Sequence, residues 1–490
     1  MPRAARSGWR RPARSRRRRS RGRGSAGPRG ARGRAPTRDL SCRARRTPRA
    51  RARAPAEDAT PSRRARASCA SGTAWRDATP DEVGLVESVL AHRGSVLAHP
   101  PFRRFWVARV LSVVAFQVQT VAIGWQVYTL TGSALALGLL GLAQFLPMLL
   151  LTLLVGHAAD RYDRRLIITV CQTIETTSAV VLAVGGLTGW LTIERGLVIV
   201  TIVGAARAFE GPTTSALMPD LVPRAMLPQA SAWHASATQT AQIVGPALGG
   251  LLYALAPALP YATAATSWLV AALLMATVRD VTRLPGERDA ESFFSGLLFI
   301  RRHRVLLGVL SLDLFAVLLG GVTALLPIYA RDILDTGPSG LGLLRSAPAA
   351  GALVMSVALA RHPLERRIGR TLFGVIVIFG LAIITFGVSR SLALSLAALC
   401  VLGMADVVSV VIRYSLVQLS TPDMMRGRVS AAFSLFTGTS NQLGEFRAGV
   451  TAALLGVVPA VLIGGIGTIV VALVWMAAFP ELRRIRAYDT

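Results

Sequence analysis

The chain has 490 residues, of which 52% are hydrophobic, and a formal net charge of +29. Its mean hydropathy is +0.48. Soluble domains of this length are built from amphipathic elements with polar faces. Here apolar stretches of bilayer-spanning length recur instead, which excludes an ordinary soluble enzyme and points to a multi-pass membrane protein.

Of the 55 basic residues, 25 fall within the first 76 positions, against three acids there, and every basic residue is an arginine. Residues 1–95 are rich in Arg, Ala, Pro, Gly and Ser and have no core-forming run. Such a segment cannot bury enough surface to offset its ordering entropy, so it is expected to be a disordered tail. No apolar stretch follows the basic one, so it is not a secretory signal. It reads as a translation start assigned too early, ahead of a solvated tail or a basic arm for anionic lipid or nucleic acid. No nucleic-acid partner is expected, because the arm lacks interleaved aromatics and a folded module.

From Pro101 onward the apolar runs predict twelve helical spans: 105–129, 133–156, 166–188, 193–212, 230–255, 260–279, 305–331, 340–361, 371–389, 391–418, 429–455 and 457–479. Backbone groups in hydrocarbon must be satisfied within the segment, so the spans are helices. The connections after even-numbered spans carry the arginines: Arg161, Arg164 and Arg165, then Arg224, Arg279 through Arg304, Arg361 through Arg370, and Arg426 with Arg428. The odd-numbered connections carry almost none. The positive-inside rule therefore predicts both termini in the cytoplasm, including the tail 481–490.

The longest connection, 280–304, contains Ser292 to Ile300 followed by Arg301, Arg302 and Arg304. It reads as a short amphipathic helix on the inner leaflet, separating a first bundle (101–279) from a second (305–480). The bundles repeat each other at offsets of about 200 residues. Thr131-Gly132 recurs as Thr336-Gly337, Gly138-Leu139-Leu140 as Gly342-Leu343-Leu344, and Pro219-Asp220 as Pro422-Asp423. The expected fold is an all-α membrane protein of twelve transmembrane helices in two pseudo-symmetric six-helix bundles.

Four segments carry a resemblance to a known family. Gly156-x-x-x-Asp160-Arg161-x-x-Arg164-Arg165 resembles motif A of the major facilitator superfamily, between its second and third helices. The run from Gly124 to Ser133 and the segment Pro219 to Pro223 resemble the branch containing enterobactin-type siderophore exporters. Gly245-Pro246-x-x-Gly249-Gly250 resembles motif C, associated with antiporter-type exporters, although Ala241 replaces an earlier glycine. Arg207 resembles the arginine of motif B. The first span offers only Gln117, Gln119 and Gln126 where related antiporters often carry an acid.

The resemblance implies a gating role for the Gly156–Arg165 motif. The carboxylate of Asp160 would meet the free amides and Arg426 or Arg428 at the start of span 11 when one side is closed. The bland alternative is a pair with Arg161 or Arg164 that only fixes topology. Gly245, Pro246, Gly249 and Gly250 remove bulk from span 5, either sealing the halves or simply packing helices.

Charges within spans are costly and are functional candidates by default. Arg207, Glu175, Asp313, Asp406 and Glu445 are the proton-coupling candidates. Asp313 and Asp406 have no cation close by in sequence, whereas Arg207 with Glu210, and Glu445 with Arg447, read as neutralising pairs. Gln119, Trp125, Gln126, Gln144, Gln242 and Asn441 are the cavity candidates, suited to a sizeable amphipathic solute, with Gln239 beside them.

No HExxH, GxSxG, Walker loop or Cys/His cluster occurs, and Cys42, Cys69, Cys171 and Cys400 form no CxxC. Neither catalysis, a metal nor a cofactor is therefore expected. The expectation is a monomeric secondary transporter that exports a small organic molecule by alternating access, with protons as coupling ion. An importer or uniporter of the same fold is the alternative, followed by a non-transporting receptor or scaffold.

Overall fold

The computed structural model describes residues 95–278, 292–364, 366–485 and 487; the side chains of 152–153, 156–160, 224, 292–295, 297, 423–424, 426–427 and 431 lie outside that description. The expectations for the arginine-rich segment 1–94 fall outside it too.

Six long helices form the first half: α1 Pro100–Thr131, α2 Ala134–Arg161, α3 Arg164–Leu187, α4 Ile193–Leu217, α5 Leu227–Leu255 and α6 Leu259–Ala276. The short helix α7, Ser292–Arg302, precedes the second half. That half comprises α8 Arg304–Gly320 with its continuation to Ile333, α9 Gly337–Arg361, α10 Ile368–Val388, α11 Leu392–Leu419, α12 Asp423–Leu455 and α13 Val457–Ala478, followed by a short α14, Pro480–Arg484. Among the described residues, nine helices are long and apolar enough to cross a bilayer by themselves. The other three of spanning length, α4, α5 and α12, carry more polar residues and complete the twelve.

Local chemistry sets the ends. Pro at the first turn starts α1, and Gly132 at φ 60° stops it, its N–H returning to the Tyr128 carbonyl at 2.8 Å. Asp163 caps α3 by accepting from the Arg165 amide at 2.9 Å. The seventh span departs from the uninterrupted helix expected. It stops at Gly320–Gly321, resumes as a 3₁₀ turn at Thr323–Leu325, and passes through Leu326–Ile328 into a π turn at Tyr329–Ile333. Carbonyls freed by the break are taken by Arg447, which donates to Leu318 at 3.0 Å and Leu319 at 2.5 Å.

The repeat is visible in the packing. Pro147 sits inside α2 and Pro348 at the related position inside α9. Gly204 of α4 lies against the Gln144 carbonyl of α2, and Gly403 of α11 against the Pro348 carbonyl of α9. In each half a side-chain-free position lets the helices approach backbone to backbone. Large apolar side chains such as Leu150, Leu154, Leu187, Leu251 and Leu473 point outward. A belt of this kind is suited to lipid and would be a liability in water.

Candidate functional site: a central cavity and its charged walls

Among the described residues, a space between the halves has a volume of about 530 Å³. Gln117 of α1 and Gln239 and Gln242 of α5 line it from the first half. The second half contributes Arg345, Asp406 and Asn441 among apolar residues such as Leu326, Phe379 and Leu402. A smaller pocket of about 40 Å³ adjoins it through Thr323 and Arg345, and holds Gln144 and Glu445.

Of the sequence-named cavity candidates, Gln242 and Asn441 line the cavity and Gln144 the adjoining pocket. Gln119, Trp125 and Gln126 are buried instead and line neither space. Gln126 accepts a hydrogen bond from the Tyr261 hydroxyl at 2.5 Å. Gln117, two residues from Gln119, takes the cavity face, because two residues along a helix rotate a side chain by more than half a turn. Arg345 was not singled out in the sequence. One arginine in a long apolar window leaves no periodic signal.

Asp313 and Asp406, expected to lack a cation, share one. Arg413 of α11 is buried, forms an ion pair with Asp313 of α8, and brings its second terminal nitrogen to 3.8 Å from Asp406. Thr437 of α12 donates to Asp313 at 3.1 Å, and Arg413 Nε donates to the Ser409 carbonyl at 3.2 Å. The Asp313 side chain is 2% exposed and that of Asp406 is 49% exposed. One cation thus faces two carboxylates, and the outlying one looks into the cavity.

In the first half Arg207 pairs with Glu210 at 2.7 Å, as their spacing of three predicts, and lies 3.9 Å from Glu175. Glu210 also accepts from Ser112 at 2.7 Å and Gln172 at 3.1 Å. Glu175 is fully buried, with neither oxygen hydrogen-bonded. Arg109 adds its charge to the same cluster, which therefore holds two cations and two carboxylates. None of the four lines the central cavity. Glu445 and Arg447 do not pair as expected. Two residues apart on a helix they project to different sides, Arg447 to the broken end of α8 and Glu445 to the pocket beside Gly141.

The span-5 motif is a double contact. A Cβ built on Gly249 would stand 2.8 Å from the Val118 carbonyl of α1, and one on Gly245 2.5 Å from Gln117 Cβ. On the other side Gly250 abuts the Pro338 carbonyl and Gly342 of α9, across the two halves. The related pair, Gly138 of α2 and Gly449 of α12, makes the same backbone approach. Beyond these, Tyr128 donates its hydroxyl to Asp332, and Arg331 donates to the Tyr128 carbonyl at 3.4 Å. The contacts among these that join the two halves lie toward the Thr131 end.

At the Tyr162 end, Arg164 reaches the Ala216 carbonyl at 3.0 Å and Asp220 at 2.6 Å. Arg165 pairs with Asp163 at 2.6 Å and reaches the Val278 carbonyl at 2.8 Å. These two arginines of the Gly156–Arg165 motif therefore staple α3 to the ends of α4 and α6, while Arg161 is exposed. Gly156, Asp160 and Arg426 fall outside the described side chains, so the expected contact of Asp160 lies there as well. Among the described residues no cluster of metal-ligating side chains occurs.

A family model described as transmembrane secretion effector matches residues 94–489. The chain belongs to this family of major facilitator transporters. Its relatives include the protein named Enterobactin exporter EntS from Citrobacter koseri, 26% identical over 419 residues, covering 82% of this chain and 97% of that one. The protein of the same name from Escherichia coli O1:K1 is 25% identical over 421 residues, with the same coverages. Solved structures share the fold. A bacterial homologue of the human lysosomal transporter Spinster, inward-facing and occupied, is 15% identical with a TM-score of 0.63, covering 77% of this chain and 96% of that one. A bacterial homologue of the iron transporter ferroportin, inward-facing, is 17% identical with a TM-score of 0.61, covering 80% and 100%. This secretion-effector chain is accordingly a multi-pass inner-membrane secondary transporter, and not an enzyme.

Proposed function

We propose that this transporter exports an amphipathic organic solute, of siderophore or drug type, by rocking its two halves about the central cavity, with protons moving in exchange. The observation that carries the reading is the 530 Å³ cavity at the boundary of the halves, with the inter-half glycine contacts gathered on its Thr131 side. With the arginine-bearing Tyr162 turn and both termini in the cytoplasm, this arrangement closes the outer face and offers the cavity to cytoplasmic solute. Relatives named for export of enterobactin support the direction.

Asp406 is the proposed proton carrier. It is the cavity-facing member of a triad with excess negative charge, so it can exchange a proton with cavity water while Asp313 stays committed to Arg413. Asp160 is retained as the proposed gating residue. It opens the loop whose arginines hold the first half together, and it would lose its partner when the halves separate. The chain is proposed to act as a monomer, since each cavity is complete within one copy.

The test uses purified protein in vesicles with an imposed pH gradient and a panel of siderophores, drugs and sugars. Accumulation of one class in inside-out vesicles, driven by an acid interior and abolished by an uncoupler, is expected. Gradient-independent flux in both directions would overturn proton exchange, and accumulation only in right-side-out vesicles would overturn export.

A further inference from the structure

Arg345 of α9 lines both the cavity and the adjoining pocket, and among the described residues it takes part in no hydrogen bond or salt bridge. Glu445 shares the smaller pocket and its charge reaches Arg345, but the two are not in ion-pair contact. The guanidinium is partly exposed at the cavity wall and has no protein acceptor among the described residues, so it is free to bond an entering group. Its planar fork is suited to a carboxylate, catecholate or similar anionic group entering the cavity.

Asp406 of α11 is the complementary case. Among the described residues Arg413 is the cation that pairs with it, and Arg413 is already spent on Asp313, with 3.8 Å left to Asp406. The Asp406 side chain is half exposed and lines the same cavity as Arg345. Its carboxylate, only loosely paired with Arg413, is open to anything bound there.

The two charges lie at different depths. Helices α9 and α11 meet where Gly403 abuts the Pro348 carbonyl. Arg345 lies three residues before Pro348, and Asp406 three residues after Gly403. Gly351 likewise abuts the Cys400 carbonyl, and both helices start from the same face of the bundle, so with the two contacts averaged a rise of 1.5 Å per residue offsets the positions by about 13 Å along it. Gln242 and Asn441 supply neutral donors and acceptors to the same cavity, and Phe379 and Leu402 supply apolar surface.

We propose that Arg345 and Asp406 are the two charge-reading ends of one substrate site, and that the substrate is a dipolar organic molecule with an acidic group toward Arg345 and a basic nitrogen toward Asp406. This rests on the transport reading above and narrows its substrate class. It also supplies a coupling step: a substrate ammonium and a proton compete for the Asp406 carboxylate, so loading one releases the other.

The test is equilibrium binding of radiolabelled probes to the full-length purified protein. The probes are N-benzyl-ω-aminooctanoic acid, which carries both charges, its methyl ester, which carries only the cation, and the N-benzoyl analogue, which carries only the anion. Wild type should bind the dipolar probe about tenfold more tightly than either single-charge probe, the worth of one charge-assisted contact. Arg345→Gln should lose the advantage of the dipolar probe over the ester while binding the ester as before. Asp406→Asn should lose its advantage over the N-benzoyl probe while binding that probe as before. Equal binding of all three probes by wild type, no binding of any of them, or equal weakening of all three by either substitution would overturn the site. If the binding pattern holds but the bound probe is not exported from vesicles, the site stands and the export reading fails.

Discussion

Gly138 and Gly449 stand backbone against backbone across the two halves. A Cβ built on Gly449 would lie 2.6 Å from the Cα of Gly138, and one on Gly138 would lie 3.1 Å from the Cα of Gly449. The repeat supplies the same contact again, where a Cβ on Gly342 would lie 3.1 Å from the Cα of Gly250. The closure at the Thr131 end is therefore two-fold, as the duplicated sequence is. Gly449→Leu should wedge that end apart at a cost of about 1–3 kcal/mol to the closed state. Maleimide labelling of a cysteine placed at Ala134, buried beside Gly449, should rise in the variant, and transport should fall at least tenfold while the protein still inserts. Unchanged labelling would show that the contact is not part of the closure.

Asp313 and Asp406 share Arg413 but should behave differently. Asp313→Asn leaves a buried guanidinium without its contacting carboxylate, so stability should fall by about 3–5 kcal/mol. The midpoint of thermal unfolding in detergent measures this. Asp406→Asn removes the outlying, cavity-facing acid, so the midpoint should move little. Transport in that variant should lose its dependence on an imposed pH gradient. A variant that keeps the gradient dependence of wild type would remove Asp406 from proton exchange.

Much of the architecture was legible in the sequence because lipid imposes length, and length survives any uncertainty about packing. The spans, the repeat and the helix Ser292–Arg302 all follow from apolar runs and the residues between them. The rotation of each helix was not legible. Gln117 and Gln119 look equivalent in a string, yet one lines the cavity and the other is buried and does not. Asp313 and Arg413 lie a hundred residues apart, so their pairing is set by how α8 meets α11. Gly320-Gly321 and Pro327 did announce the break in α8, but the apolar run around them masked it.

Arg164 and Asp220 join two segments that were recognised separately, at 2.6 Å. Asp220→Asn should weaken this staple, by about 1–3 kcal/mol for a partly buried charged hydrogen bond. The unfolding midpoint should fall, and the exchanged pair Arg164→Asp with Asp220→Arg should recover part of the loss. No recovery in the exchanged pair would mean that the Ala216 carbonyl contact, and not the ion pair, holds the ends together.

Arg207 separates two buried glutamates. Arg207→Ala should destabilise the first half more than Glu175→Gln does, because the former removes the cation in contact with Glu210 while the latter only removes charge from a carboxylate that has no hydrogen bond. Thermal unfolding of the two variants side by side tests the order. A larger loss for Glu175→Gln would reverse this assignment.

The central claim is that the two halves rock about the cavity, and paired spin-label distances measure this directly. One pair, at Leu130 and Leu455, spans the halves near the Thr131 end; the other, at Leu166 and Leu419, spans them near the Tyr162 end. In vesicles taken from neutral to acidic pH, and with substrate added, the two distances should change in opposite senses, one lengthening as the other shortens. Distances that stay fixed, or that lengthen together, would contradict the account.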